Sequence, residues 1–137
     1  PQVKKDLIDT GLIRFEMHPF PLDGLALRAH ALCRTLPTDS YFKMVDTLLD
    51  NQESWIGAAE PVTELKKFAK FAGISSDTFD KMMRDRSYLE AIVQLRQDAV
   101  SRYEISSTPS FVVNEDKIFS GALSFDEFLS ELNAFGI

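Results

Sequence analysis

The chain has 137 residues, of which 45% are hydrophobic and 26% charged, a globular composition that excludes collagen-like, mucin-like and wholly disordered proteins. Fifteen Lys and Arg against twenty-one Asp and Glu give a formal charge of −6. This is the wrong sign for an electrostatic grip on phosphate backbones, so we expect no nucleic-acid partner. No run of about 18 apolar residues is present, and we therefore expect no membrane insertion.

The first 22 residues predict a helix followed by a strand. Apolar side chains at helical spacing indicate that residues 1–9 are the end of a helix, which Thr10 and Gly11 terminate. Residues 12–17 alternate apolar and polar side chains, which predicts a β-strand closed by the following prolines. Because the chain begins with Pro1 rather than Met, we expect that the natural protein continues upstream of it.

A block of helices is predicted from about Asp23 to Tyr103, because apolar residues repeatedly share one helical face. Pro61 is a favoured first-turn residue for one of these helices, and Gly73 ends it. Trp55 lies between two predicted helices. We expect it to pack beneath a loop, although an exposed binding patch is the alternative.

The last 35 residues change character. Ser110–Val113 is a short run of residues that favour β-strands, and the next three residues are typical of a turn. Ile118-Phe119 then supplies a second strand that can pair with the first, so we predict a β-hairpin. Ser124 and Glu127 have the spacing of a capping box, which predicts a final helix.

The single cysteine, Cys33, excludes a disulfide or a cysteine-based metal cluster within this chain. It shares a helical face with apolar neighbours, so we predict a structural, buried thiol. His18 and His30 lack metal-ligand spacing. We therefore expect no metal site and no cofactor.

The most specific motif is Ile105–Phe111, in which Pro109 directly precedes a predicted strand. A proline cannot donate to a sheet ladder, so it marks a bend at the mouth of the strand. With the hairpin and capped helix that follow, this segment resembles the cis-proline loop and closing ββα unit of the thioredoxin fold. Ile8–Phe15, Phe20–Ala29 and Phe119–Phe128 resemble segments of DsbA-like thiol-disulfide oxidoreductases.

This resemblance implies an α/β, thioredoxin-like (DsbA-like) fold with a helical insertion. Residues 1–22 and 104–137 would form the thioredoxin-like core, and residues 23–103 the inserted helical subdomain. The N-terminal βα portion of the fold is missing from the chain. In the thioredoxin arrangement its strand is central, between residues 12–17 and the hairpin. We therefore expect the natural protein to contain this segment, and a chain that truly began at Pro1 would need another strand in its place.

The resemblance also implies thiol–disulfide exchange with client proteins in the periplasm or another exported location, with a redox partner that recycles the protein. The main chain of Thr108 would pair with an extended client, and Pro109 would lie against the catalytic cysteines. Ser107 flanks the loop formed by Thr108 and Pro109. The chain departs from the family pattern because it has no Cys-x-x-Cys pair, so it contains no catalytic residue. We expect that pair about three helical turns upstream of Pro1, and we expect the chain alone to be inactive.

Two other functions fit the same residues. One is a redox-inactive thioredoxin-fold module that binds extended peptides through the loop at Thr108 and Pro109. The other is a glutathione-binding relative in which a serine replaces the cysteine pair. For His18, two roles remain open, a solvated turn residue and a group that tunes a nearby thiolate.

Overall fold

The computed structural model describes residues 2–136. Pro1 and Ile137 lie outside the described residues, and Pro1 is the residue at which the first predicted helix and the first predicted domain begin. The chain divides into two compact units. We call Pro1–His18 with Gln97–Ile137 the hairpin unit and Pro19–Arg96 the helical unit. The elements are a π-helix Lys4–Ile8, α1 Gly24–Arg34, α2 Thr38–Asp50, α3 Gln52–Ile56, α4 Pro61–Phe71, α5 Ser76–Arg84, α6 Arg86–Tyr103, β1 Ser110–Val113, β2 Lys117–Ser120 and α7 Phe125–Ala134.

The predicted block of helices is confirmed, and α1 lies against α2, α4 and α5. Local signals set the helix starts: the Asp23 carboxylate accepts from two main-chain N–H groups of α1, and Pro61 opens α4. The core of the helical unit is apolar and includes Leu32, Leu65, Phe79 and Ile92. No helix among the described residues has the length and apolar character needed to cross a bilayer.

Trp55 does not lie in a loop. It belongs to the short helix α3, where it is buried, and its Nε1–H donates to the Leu48 carbonyl oxygen at 2.8 Å. The expectation that it packs in the interior is confirmed, and an exposed binding patch at Trp55 is wrong. The helix itself was not predicted, because five residues are too few for a helical period to show.

The hairpin unit is built on β1 and β2, which pair antiparallel as predicted. Phe111 faces Phe119 across the ladder, and their rings stack at 5.0 Å between centroids. The Phe128 ring of α7 meets both edge-on, at 5.1 and 5.6 Å. The predicted capping box that starts α7 is confirmed. These contacts fix the hairpin on the helix.

The predicted strand at residues 12–17 is wrong, because these residues join no ladder. Their exposure alternates as a strand requires, with Ile13, Phe15 and Met17 turned partly inward. Within the described part of the chain, however, the β1–β2 pair is the complete sheet. Alternation needs only a buried face, whereas a strand also needs a neighbour for its main-chain groups. The segment before it is helical as predicted, but it winds as a π-helix, with Asp9 N–H donating to the Lys4 oxygen.

Candidate functional site

The loop between α6 and β1 contains the three predicted site residues. α6 ends at Tyr103, and Glu104 follows in the left-handed region with φ +53°. Ile105 is buried and fixes the start of the loop. Ser107, Thr108 and Pro109 are then exposed in succession, and the Thr108–Pro109 peptide bond is cis. The structure therefore presents these residues together at the surface of the hairpin unit.

Hydrogen bonds attach this loop to the hairpin. The Ser110 hydroxyl donates to the Ser107 carbonyl oxygen at 2.6 Å and lies 2.7 Å from the Ser120 hydroxyl. Since a serine hydroxyl has one proton, Ser120 is the donor in the second bond. The Gly121 N–H also donates to the Pro109 carbonyl oxygen at 2.9 Å. The ends of the loop are thus held by β1 and by the residue after β2.

Thr108 is different from its neighbours, because its main-chain groups make no hydrogen bond within residues 2–136. Its side chain is exposed as well. Exposed, unpaired main-chain groups on a fixed segment can pair with an extended peptide, and such pairing tolerates many side-chain sequences. The loop is therefore chemically suited to bind a polypeptide.

An apolar groove of about 350 Å³ lies in the same unit, and its walls include the two segments between which the resemblance implies a missing strand. Its walls include Phe15 of the alternating segment and Phe111 of β1, with Leu123, Phe125 and Phe128 also contributing. The alternation of residues 12–17 and the resemblance were the two indications of it in the sequence. The groove brings together two segments that are far apart in the chain, so local patterns could not show it.

Cys33 is a structural residue, as predicted. It lies in α1 of the helical unit and is 3% exposed. Burial raises the pKa of its thiol to about 12. The thiolate is the nucleophile in disulfide exchange, so at neutral pH this thiol is unreactive in the folded protein.

The two histidines lie in different environments. His30 is partly buried, and burial, followed by the nearby Arg34, lowers the pKa of its imidazole. His18 is exposed, and no hydrogen bond or ion pair joins it to the Ser107–Pro109 loop among the described residues. No three metal-ligating side chains in that part of the chain lie close enough together to hold an ion.

Comparisons with known proteins agree with this architecture. A family model described as thioredoxin matches residues 1–134. The chain therefore belongs to the thioredoxin family. Its fold is the DsbA-like form: the crystal structure of alpha-DsbA1 from Wolbachia pipientis superposes with a TM-score of 0.83 at 21% identity, covering 98% of this chain and 73% of that one.

A second solved structure is more distant. Protein-disulfide isomerase from Novosphingobium aromaticivorans gives a TM-score of 0.72 at 16% identity, covering 97% of this chain and 79% of that one. No curated protein matches the sequence. The predicted DsbA-like thioredoxin fold with a helical insertion is thus confirmed.

Proposed function

We propose that this chain supplies the client-binding loop and the helical subdomain, residues 23–103, of a DsbA-like protein thiol–disulfide oxidoreductase. The observation that carries the proposal is the exposed Thr108, whose main chain is unpaired on a loop held at both ends. Family membership and fold support it. In this role Thr108 pairs with the main chain of an extended client, and Ser107 and Pro109 border the contact.

The exchange itself requires two redox cysteines. An enzyme disulfide accepts two electrons and two protons from a client dithiol, which leaves an enzyme dithiol and a client disulfide. The 137 residues contain one cysteine, and it is buried. We therefore assign the Cys-x-x-Cys pair to sequence outside these residues, upstream of Pro1, at a helix N-terminus where the macrodipole lowers a thiol pKa.

The same upstream sequence is proposed to fill the apolar groove with a β-strand. Phe15 and Phe111 stand on its walls, and the alternating residues 12–17 have no ladder partner in the described structure. A strand between these segments would pair with their main chains and bury the aromatic side chains. Such a protein belongs in an oxidising, exported location such as the periplasm, and it needs a redox partner to restore its disulfide.

The binding step is tested by titrating ¹⁵N-labelled protein with an unfolded, cysteine-free peptide and with the same peptide N-methylated at every residue. We expect the peptide to shift the amide signals of residues 106–110 and the N-methylated peptide to lose that effect, because it cannot donate main-chain hydrogen bonds. Thr108→Ala should bind within about twofold of the natural protein, since the main chain is unchanged. Equal binding of both peptides, or shifts confined to the helical unit, would contradict the proposal.

The redox step is tested by the intact mass of the naturally produced protein and its thiol count after denaturation and reduction. A larger mass with at least two more thiols supports disulfide exchange. The 137-residue chain alone should not catalyse reoxidation of a reduced client. The Cys33→Ala variant should give the same background rate of reoxidation. Catalysis by this chain would contradict the assignment of the redox pair to upstream sequence.

A second candidate is a redox-inactive peptide-binding module, which the single buried cysteine favours. It would give the same peptide-induced shifts at the loop. A natural mass equal to that of Pro1 to Ile137, with one thiol, would establish it and overturn the oxidoreductase. Retention on a glutathione column would instead indicate the glutathione-binding alternative.

A further inference from the structure

We propose that the loop at Thr108 selects cationic client segments, an inference that rests on the proposed peptide-binding function. The formal charge is divided unequally between the two units. The hairpin unit has ten Asp and Glu against five Lys and Arg, whereas the helical unit has eleven against ten. The negative charge of the protein is therefore concentrated on the unit that presents the loop.

The cations of the hairpin unit are largely occupied. Lys4 pairs with Asp9 at 2.6 Å and Arg14 with Glu16 at 2.6 Å. A third ion pair joins the Arg102 guanidinium to the Glu115 carboxylate at 2.7 Å. These contacts neutralise cations one for one and leave the excess carboxylates uncompensated. Six carboxylates make no ion pair with a cation among residues 2–136, namely Asp6, Glu104, Asp116, Asp126, Glu127 and Glu131.

Glu104 lies close to the loop in sequence, and the length of the intervening chain limits its distance from Thr108. Thr108 is four positions further along the chain, so the two Cα atoms are at most about 14 Å apart. Its N–H donates to the Val100 carbonyl oxygen at 2.9 Å, and the next residue, Ile105, is buried. The carboxylate is therefore held beside the loop on a fixed main chain, while its side chain is exposed.

The second end of the loop is also close to negative charge. The Pro109 carbonyl oxygen accepts a hydrogen bond from the Gly121 N–H. Four residues after Gly121, α7 begins with Phe125, which is followed by Asp126 and Glu127. The separation of at most about 14 Å between Glu104 and Thr108 is comparable to the Debye length, which is about 10 Å at 0.1 M salt and about 30 Å at 0.01 M. A client strand on Thr108 thus lies in a negative field, which attracts Lys and Arg and repels Asp and Glu.

The test uses two cysteine-free peptides of equal length and apolar content, one with three lysines and the other with three glutamates at the same positions. Binding to the natural protein is measured at 20 mM and 500 mM NaCl, and the loop amide signals are recorded. We expect about tenfold tighter binding of the lysine peptide at low salt and less than about a twofold difference at high salt. Glu104→Gln should reduce the low-salt preference about twofold.

Glu90→Gln is the matched control. Glu90 is also exposed but lies in α6 about 20 Å before Glu104, in the helical unit, so its loss should leave the preference unchanged. Equal affinities at low salt, with loop shifts from both peptides, would overturn the inference but keep the proposed function. A lysine preference that persists at 500 mM, or an equal effect of both variants, would also overturn it. If neither peptide shifts the loop signals, the proposed function itself fails.

Discussion

Replacing Phe128 by alanine should weaken the hairpin unit selectively at its aromatic centre. Phe128 is 8% exposed and packs with Leu7 and Leu132, and its ring touches both stacked rings of the hairpin. These rings belong to Phe111 and Phe119, and Phe128 is the buried phenylalanine among the described residues whose ring contacts both of them. Removing this side chain therefore takes away the aromatic contacts at the centre of the packing between the hairpin and α7.

The cost can be estimated from these contacts. Removing a buried phenylalanine side chain typically costs about 3–5 kcal/mol, from lost burial and the cavity left behind. The two edge-on ring contacts, at about 0.5–1.5 kcal/mol each, are included in that total. Since whole domains are stable by about 5–15 kcal/mol, Phe128→Ala should bring this unit close to unfolding. Phe128→Leu keeps the apolar volume and should cost only about 1–2 kcal/mol.

Hydrogen exchange of the β1 and β2 amides measures this loss directly, because their protection reports opening of the hairpin. The leucine variant separates the ring contacts from the burial, and Ser130→Ala, at an exposed position of α7, is the control for substitution in that helix. A loss below about 1 kcal/mol for Phe128→Ala would refute the account, since no buried core side chain is that inexpensive to remove. A Phe128→Leu variant as stable as the natural protein would show that the ring geometry contributes nothing.

Three further changes follow from single residues. Glu104→Gly should stabilise the protein by about 0.5–1 kcal/mol, measured as a Tm rise of about 2–4 °C, because glycine adopts a positive φ without a steric penalty. Cys33 should resist a thiol reagent in the native protein at pH 8 and react fully in denaturant, because the fold buries it and raises its pKa to about 12. His30 titrates at an ordinary pKa of about 6.5 when unfolded and at a lower pKa when folded, so the unfolded state binds more protons. Its contribution to stability is therefore complete above about pH 6.5 and is lost as the pH falls through the folded pKa, which urea midpoints at pH 7.5 and 5.5 would detect.

Each of these has its own control. Glu104→Ala keeps the strained conformation, so a gain equal to that of Glu104→Gly would contradict the role of φ. Rapid native labelling of Cys33 would contradict its burial. His30→Gln cannot take up a proton, so the acid-side loss of stability should shrink in this variant; an unchanged pH dependence would assign it to other groups.

Most of the helices were predictable because their signals are local. Asp23 precedes the first helix and caps it with a carboxylate, Pro61 opens another, and the Ser124–Glu127 capping box starts the last. Each signal acts within a few residues and needs no tertiary partner. The hairpin was similarly predictable, since a β-rich run, a turn and a second run lie next to each other in sequence.

What could not be predicted depends on distant segments or gives no local signal. Residues 12–17 have strand alternation, but a ladder depends on which segment lies beside them. The short helix α3 follows Asn51, which makes no side-chain cap. Glu104 and Glu115 adopt positive φ, although glutamate gives no indication of a left-handed conformation. The loop at Ser107–Pro109 was identified by resemblance, whereas the groove and the unequal charge of the units depend on which segments fold together.

The burial of Cys33 depends on helices that are synthesised long after it. α1, which carries the thiol, packs against α2, α4 and α5. α5 ends about 50 residues after Cys33, so at about 5–20 residues per second the thiol exists about 3–10 s before α5 is complete. During that interval its pKa is that of an exposed thiol, and an oxidant or a disulfide in its surroundings can reach it. Correct folding of the helical unit therefore requires that the helices dock around Cys33 before its thiol is oxidised or forms a mixed disulfide.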